Sequence, residues 1–262
     1  MAELLFWPAF LAYSEAALAY FGEARRPGIA GRLATWGVRI GWLVQTALLA
    51  VQAARADAFP WSTWAGSLNL FVWLVVGAYL IWGCQARYRM LGLAVLPLAA
   101  VLFALAHAGG GTSVHGASSY SDLFLVLHVG LVLIAFAGFT VAAGLSALYL
   151  WQERRLKRRE TTILRVRAPA LARLDELSAR TIAVALPALT LGIGVGIARL
   201  RDRGGGLDAL MAVTLVTWVV YTSYLALRLG TGLRGRRAAY VLLAGFLLVA
   251  IVRLALPVTH FS

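Results

Sequence analysis

Apolar residues in this chain run in long stretches interrupted by short segments of Gly, Pro and charge. Eight stretches stand out, at roughly Leu4–Phe21, Thr35–Ala54, Ser62–Gly83, Met90–Ala108, Leu123–Trp151, Thr181–Ala198, Ala209–Leu229 and Ala238–Pro257. Each is near the 20 or so residues that an α-helix needs to cross about 30 Å of hydrocarbon. They are rich in Leu and Ala and lack the period-two alternation of a barrel strand. Backbone groups in lipid are therefore expected to be satisfied within helices. The predicted fold class is all-α, a polytopic membrane helix bundle of about eight transmembrane helices, with residues 1–262 forming one membrane domain.

Composition agrees. The chain is 61% hydrophobic and 13% charged, where an average soluble domain is about 25% charged. The net charge of +13 does not point to nucleic acid, because the basic residues sit between apolar runs rather than on one solvated face. Glu3 precedes the first run with no Lys or Arg. No small-residue cleavage site follows before Arg25 and Arg26, so this stretch reads as a first span rather than a signal peptide. A single cysteine, Cys84, excludes an intrachain disulfide and a CxxC site.

Basic residues are retained on the cytoplasmic side of a membrane. Taking connectors alternately, one set holds Arg25, Arg26, Arg32, Arg87, Arg89, the cluster Arg154–Arg180, Arg228, Arg234, Arg236 and Arg237. The other holds Arg55, Arg199, Arg201 and Arg203, so the division is eighteen basic residues against four. Both termini are thus expected outside. The same parity places every histidine toward the outer face. His107 and His115 fall in the connector Ala106–Asp122, His128 lies about one turn into the next helix, and His260 follows the last span.

The longest connector on the basic side, residues 152–180, opens with Gln152, Glu153, Arg154, Arg155, Leu156, Lys157, Arg158 and Arg159. Such a block anchors a span on anionic lipid headgroups, or alternatively docks a cytoplasmic partner. Pro169, Ala170, Leu171, Leu174, Leu177 and Ala179 then read as a short amphipathic helix at the interface.

Motifs of soluble enzymes (GxSxG, a P-loop, HExxH, a dinucleotide-binding GxGxxG) are missing, and the chain is read as a non-enzyme. Glu15 and Arg39 are ionisable groups inside apolar spans and so are functional candidates, although Arg39 is near enough to a helix end to snorkel. His128 and His260 are the more informative pair. A six-coordinate haem iron takes two axial donors on opposite faces of a flat macrocycle, and imidazoles from two helix ends suit that arrangement. Trp61, Trp64, Phe124 and Phe261 fall at the same level, as porphyrin walls or as an interfacial aromatic belt. Arg253, seven residues before His260, lies two helical turns below it on one face. Its guanidinium suits a haem propionate or the outer headgroups. A zinc site drawing on the four histidines lacks a zinc ligand spacing.

The stretch Leu127, His128, Val129 through Ala135, Phe136, Ala137, followed by Tyr149, Leu150, Trp151, Gln152, Glu153, Arg154, resembles the CcsA/HemX-like branch of the cytochrome c assembly family. The likeness extends through Phe59, Pro60, Ser67–Tyr79, Arg87–Pro97 and Leu174, Asp175, Glu176, Leu177. It continues in Leu233, Arg234, Gly235, Arg236, Arg237, Ala238, Ala239 and then Gly245, Phe246, so that it is best over residues 59–262. The resemblance implies a haem-handling protein of the bacterial cytoplasmic membrane that presents haem on the outer side for attachment to apocytochrome c. It implies non-covalent haem b with two external histidines as axial ligands, carried here by His128 and His260, and other cytochrome c assembly membrane proteins as partners.

Two departures refine this expectation. Exporters of the family carry a tryptophan-rich external loop ending in Trp-Asp. Here Leu200, Arg201, Asp202, Arg203, Gly204, Gly205, Gly206, Leu207, Asp208 keep the aspartate, at Asp208, without the tryptophans. Ala226 stands where such proteins have an intramembrane histidine. Without the stacking area of those rings, the resemblance shifts toward the HemX-like branch. The leading expectation is a haem-binding, haem-presenting accessory of cytochrome c biogenesis. The alternative is a membrane scaffold or regulator of tetrapyrrole biosynthesis acting through its basic connector. A small-solute transporter is the weakest reading, since no inverted pair of broken helices is evident.

Overall fold

The computed structural model describes residues 2–25, 28–55, 61, 63–83, 91–114, 123–158, 169–203 and 209–255. Among these it contains eight helices: α1 (Ala2–Arg25), α2 (Ala30–Arg55), α3 (Trp64–Gly83), α4 (Gly92–Ala108), α5 (Leu123–Lys157), α6 (Leu171–Arg203), α7 (Ala209–Thr231) and α8 (Arg236–Ala255). The described residues contain no strand. Six helices, namely α1, α2, α3, α5, α6 and α7, are long and apolar enough to cross a membrane, and α4 carries a shorter apolar stretch, Val95–Ala108. Each apolar run seen in the sequence is therefore one helix. The segment from Leu171 to Arg180, expected as a separate interfacial helix, is instead the opening of the 33-residue α6. No glycine or proline intervenes between Leu171 and Leu186 to stop it.

The helices fall into two units, one built from α1–α4 and the other from α5–α8. In the first, α1 buries Phe6, Ala9, Tyr13, Ala16, Ala17 and Tyr20, the stripe expected of a 3.6-residue period. Its opposite face exposes Leu4, Leu11 and Leu18, as suits a helix with lipid on one side. Small residues let α2 approach closely. A Cβ on Gly41 would stand 2.7 Å from the Tyr13 ring, and one on Gly37 would stand 3.2 Å from the Ala12 carbonyl. Arg39 lays its guanidinium 5.1 Å from the centroid of the Trp36 ring, and Glu15 is exposed on α1. Neither joins the buried polar groups of this unit.

Those groups form a continuous network of hydrogen bonds. The Tyr13 hydroxyl donates to Gln45 Oε1 at 2.7 Å, and Gln45 Nε2 donates to Asn69 Oδ1 at 2.9 Å. Asn69 Nδ2 donates to Gln52 Oε1 and to the Gly111 carbonyl, at 3.2 and 3.1 Å. Gln52 Nε2 in turn reaches the carbonyls of Gly111 and Ser113, at 3.0 and 2.7 Å. Gln45, Gln52 and Asn69 are fully buried, where an unpaired amide is costly, so these three residues tie α1, α2 and α3 to the turn after α4. The turn itself needs glycine twice. Gly110 has φ of +80°, and a Cβ on Gly111 would collide with the Ala65 carbonyl.

In the second unit α5 and α6 run antiparallel along a seam of small residues, and Phe139 stacks on Tyr221 of α7 with ring centroids 4.0 Å apart. Asp175 of α6 clamps the α7–α8 turn. Its carboxylate accepts from Arg228 at 2.7 and 3.2 Å and from the Gly235 backbone N–H at 2.9 Å. Arg228 also donates to the Tyr224 hydroxyl and the Leu233 carbonyl. The turn carries φ of +69° at Gly232 and Gly235, a conformation glycine adopts without strain. Two stretches that carry the family resemblance, Leu174–Leu177 and Leu233–Ala239, thus meet where the Gly235 N–H donates to Asp175.

The pair keeps only 14% and 11% of its side-chain surface exposed. Arg228→Ala should lower stability by about 1–3 kcal/mol, less than a fully buried pair would lose. Thermal unfolding in detergent measures this. Adding Asp175→Ala to Arg228→Ala should recover part of the loss, because it removes the stranded carboxylate.

Candidate functional site

His128 lies in the second turn of α5, and its position is set by α6. Along the seam, a Cβ on Gly138 would come 2.7 Å from the Ala185 Cβ, one on Gly192 would come 3.0 Å from Val132 Cγ2, and one on Gly196 would come 2.8 Å from His128 Cε1. Glycines four residues apart on α6 open a flat strip that admits the neighbouring helix, and the imidazole occupies its last step. His128 Nδ1 lies 2.7 Å from the Gly192 carbonyl oxygen. A carbonyl only accepts, so Nδ1 carries a proton, and in the neutral imidazole the lone pair is then on Nε2. Nε2 is also the ring nitrogen farther from α6, at 3.7 Å from the Gly196 Cβ position against 3.1 Å for Nδ1. The half-buried ring is thus held by one nitrogen and offers the other. Proteins orient metal-ligating histidines through such an N–H···O=C bond.

The other expected site residues relate to this end of the unit through topology. The ion pair Asp175–Arg228 and the bond from Trp218 Nε1 to Thr190 Oγ1 show α6 and α7 to be antiparallel. Gly235 lies against the Tyr149 hydroxyl, near the far end of α5 from His128, and Ser146 and Tyr149 share a small crevice with Ala239 and Leu242. From there α8 runs back toward the His128 end. Its last turn carries Arg253, whose backbone is helical and whose side chain lies outside the described residues. The end of α6 at Arg203, the start of α7 at Ala209 and the end of α8 at Ala255 accordingly share the His128 end. The segments that hold Asp208 and His260 leave the helices there. Asp208 and His260 themselves lie outside the described residues, as do His115, Phe261 and the Phe124 side chain.

His107 was expected in a connector, but the structure places it in the last turn of α4, within the first unit. Its ring stacks on Phe6 at 3.8 Å between centroids, and its Nδ1 lies 2.7 Å from Thr112 Oγ1. Trp61 and Trp64 also belong to this unit. Among the described residues, no three His, Cys, Asp or Glu side chains group as a metal site would require. Sequence reading overlooked Gly192 and Gly196, and their four-residue spacing on an apolar helix was the available signal.

Comparison with known proteins follows the same residues. The family model for "Cytochrome C assembly protein" matches residues 61–260. The chain is similar to proteins named cytochrome c biogenesis protein CcsA. It is 26% identical to that of Gloeothece citriformis, covering 83% of this chain and 82% of the relative. For Picosynechococcus the identity is 25%, over 92% and 90%, and for Prochlorococcus marinus 28%, over 82% and 77%. No solved structure matches the chain.

The tautomer is directly measurable. With ¹⁵N-labelled histidine, the neutral form of His128 should show a protonated Nδ1 and an unprotonated Nε2. Gly196→Ala, which forces the ring aside, should mix the two tautomers.

Proposed function

Because this chain belongs to the cytochrome c assembly protein family, a family of membrane proteins of cytochrome c biogenesis, we propose that it binds haem and presents it for attachment to apocytochrome c. His128, through Nε2, and His260 would hold the haem iron. The observation that supports this most is the bond from His128 Nδ1 to the Gly192 carbonyl, which leaves an oriented lone pair at the end of a helix. A haem would supply an iron with two axial positions and a pair of propionates. The chain's own part is to hold and orient. Gly192 fixes the imidazole plane, Gly196 makes room for it, and Arg253 is the cation for a propionate. Asp208, which directly precedes α7 in the sequence, completes the set.

In this reading the histidine end faces away from the cytoplasm, as the distribution of arginine supports, and the membrane is the bacterial cytoplasmic one. The residues 200–208 lack tryptophan, which favours holding and handing on haem, as in the HemX-like branch, over moving it across the membrane. The partners are apocytochrome c and further assembly proteins, and the role is one of binding rather than catalysis.

Titration of haem b into the purified protein in detergent, followed in the Soret band, tests the assignment. His128→Ala and His260→Ala should each weaken binding. Gly196→Leu should weaken it by about 10- to 100-fold, the range for losing the support of a metal ligand. Gly194→Leu should leave it unchanged, since a Cβ there meets nothing within 4 Å. Equal affinity in wild type and the two histidine variants would overturn the proposal.

A further inference from the structure

At the end of the second unit opposite His128, two arginines 82 positions apart in the sequence converge on one tyrosine. Arg154 in the last turns of α5 and Arg236 at the start of α8 both act on the Tyr240 hydroxyl. The Arg236 guanidinium also lies over the Tyr240 ring, 5.4 Å from its centroid. Both arginines are exposed. Of the acidic side chains nearby, Glu153 pairs with Lys157 at 2.8 Å and its charge also reaches Arg236, and Asp175 pairs with Arg228 at 2.7 Å. Two guanidinium groups beside one neutral oxygen repel each other and keep most of their N–H groups unused. Phosphate oxygens match that double fork and supply the missing negative charge.

The depth of the cluster narrows the ligand. Tyr240 stands where the apolar part of α8 begins, the level at which aromatic residues meet lipid headgroups. Below it on the same face, at helical spacing, follow Ala244, Leu247, Leu248 and Ile251, all exposed. A phosphate attached to an acyl chain satisfies both the arginines and this apolar lane. We propose that Arg154, Arg236 and Tyr240 form a discrete site for the phosphate of an anionic phospholipid, whose acyl chain lies along Leu247, Leu248 and Ile251. The site is independent of haem, and it differs from diffuse attraction to a basic surface because it depends on two particular arginines rather than on net charge.

Native mass spectrometry of the full chain, released from nanodiscs of phosphatidylglycerol or of phosphatidylcholine, tests it. Wild type should retain one phosphatidylglycerol and no phosphatidylcholine. Retention should fall about tenfold or more in the double variant Arg154→Gln/Arg236→Gln, given what two basic residues contribute at a lipid surface. The control Arg234→Gln/Arg237→Gln removes equal charge from exposed positions of the same turn and should retain the lipid as wild type does. Equal loss in both double variants would overturn the proposal in favour of diffuse electrostatics, and so would retention of phosphatidylcholine. Inorganic phosphate that displaces the lipid and alone gives the same thermal protection would assign the site to free phosphate instead, which also overturns it. Arg154→Lys/Arg236→Lys keeps the charge but not the fork, and its intermediate retention separates loss of recognition from loss of fold.

Discussion

The close approach of α5 and α6 is the constraint on which the candidate site depends. Within a membrane, apolar side chains gain little from one another that lipid does not also offer, so helices associate through tight packing and polar contacts. Here Gly138, Gly192 and Gly196 remove the Cβ atoms that would hold the two backbones apart. The same omission that lets the helices meet brings the His128 ring within hydrogen-bonding distance of a main-chain carbonyl. Packing and chemistry at this end are therefore a single feature, and a side chain at Gly196 would disturb both.

The two ends of the second unit differ in chemistry in a way that topology explains. The antiparallel order of these four helices places the start of α5, the end of α6, the start of α7 and the end of α8 together. That end collects His128 and the described helix termini Arg203, Ala209 and Ala255. The other end collects Asp175, Arg228, Gly235 and the exposed arginines around Tyr240. The Asp175 clamp holds the α7–α8 turn, and so determines where α8 starts and which of its faces meets α5. Through that register it bears on Arg253, although it lies far from the histidine end. Membership of the cytochrome c assembly family agrees with this division, because the stretches of sequence that carry the likeness fall at both ends.

The helices were legible because a span needs a long apolar run, and each run begins and ends where charge, Gly or Pro interrupts it. Their interior contacts were less so. Hydropathy treats Gly192 and Gly196 as mildly apolar and does not report that a neighbouring helix fills the space they leave. His107 looked like a loop residue because a run of three glycines follows it, whereas it lies in the last turn of α4 and stacks on Phe6. Asn69, Gln45 and Gln52 register only as single polar interruptions of apolar helices, since the hydrogen bonds joining them connect separate helices. The place of His128 near the start of α5 was legible in the sequence, and the orientation of its ring became visible only with α6 beside it.

Electron paramagnetic resonance of the ferric haem-loaded protein tests the proposed ligation most directly. Wild type should give a low-spin spectrum with two imidazole ligands. His128→Ala should give a high-spin one that free imidazole returns to low spin, since the small ligand replaces only the side chain that was removed. A low-spin signal unchanged by His128→Ala would contradict the account and place the iron elsewhere.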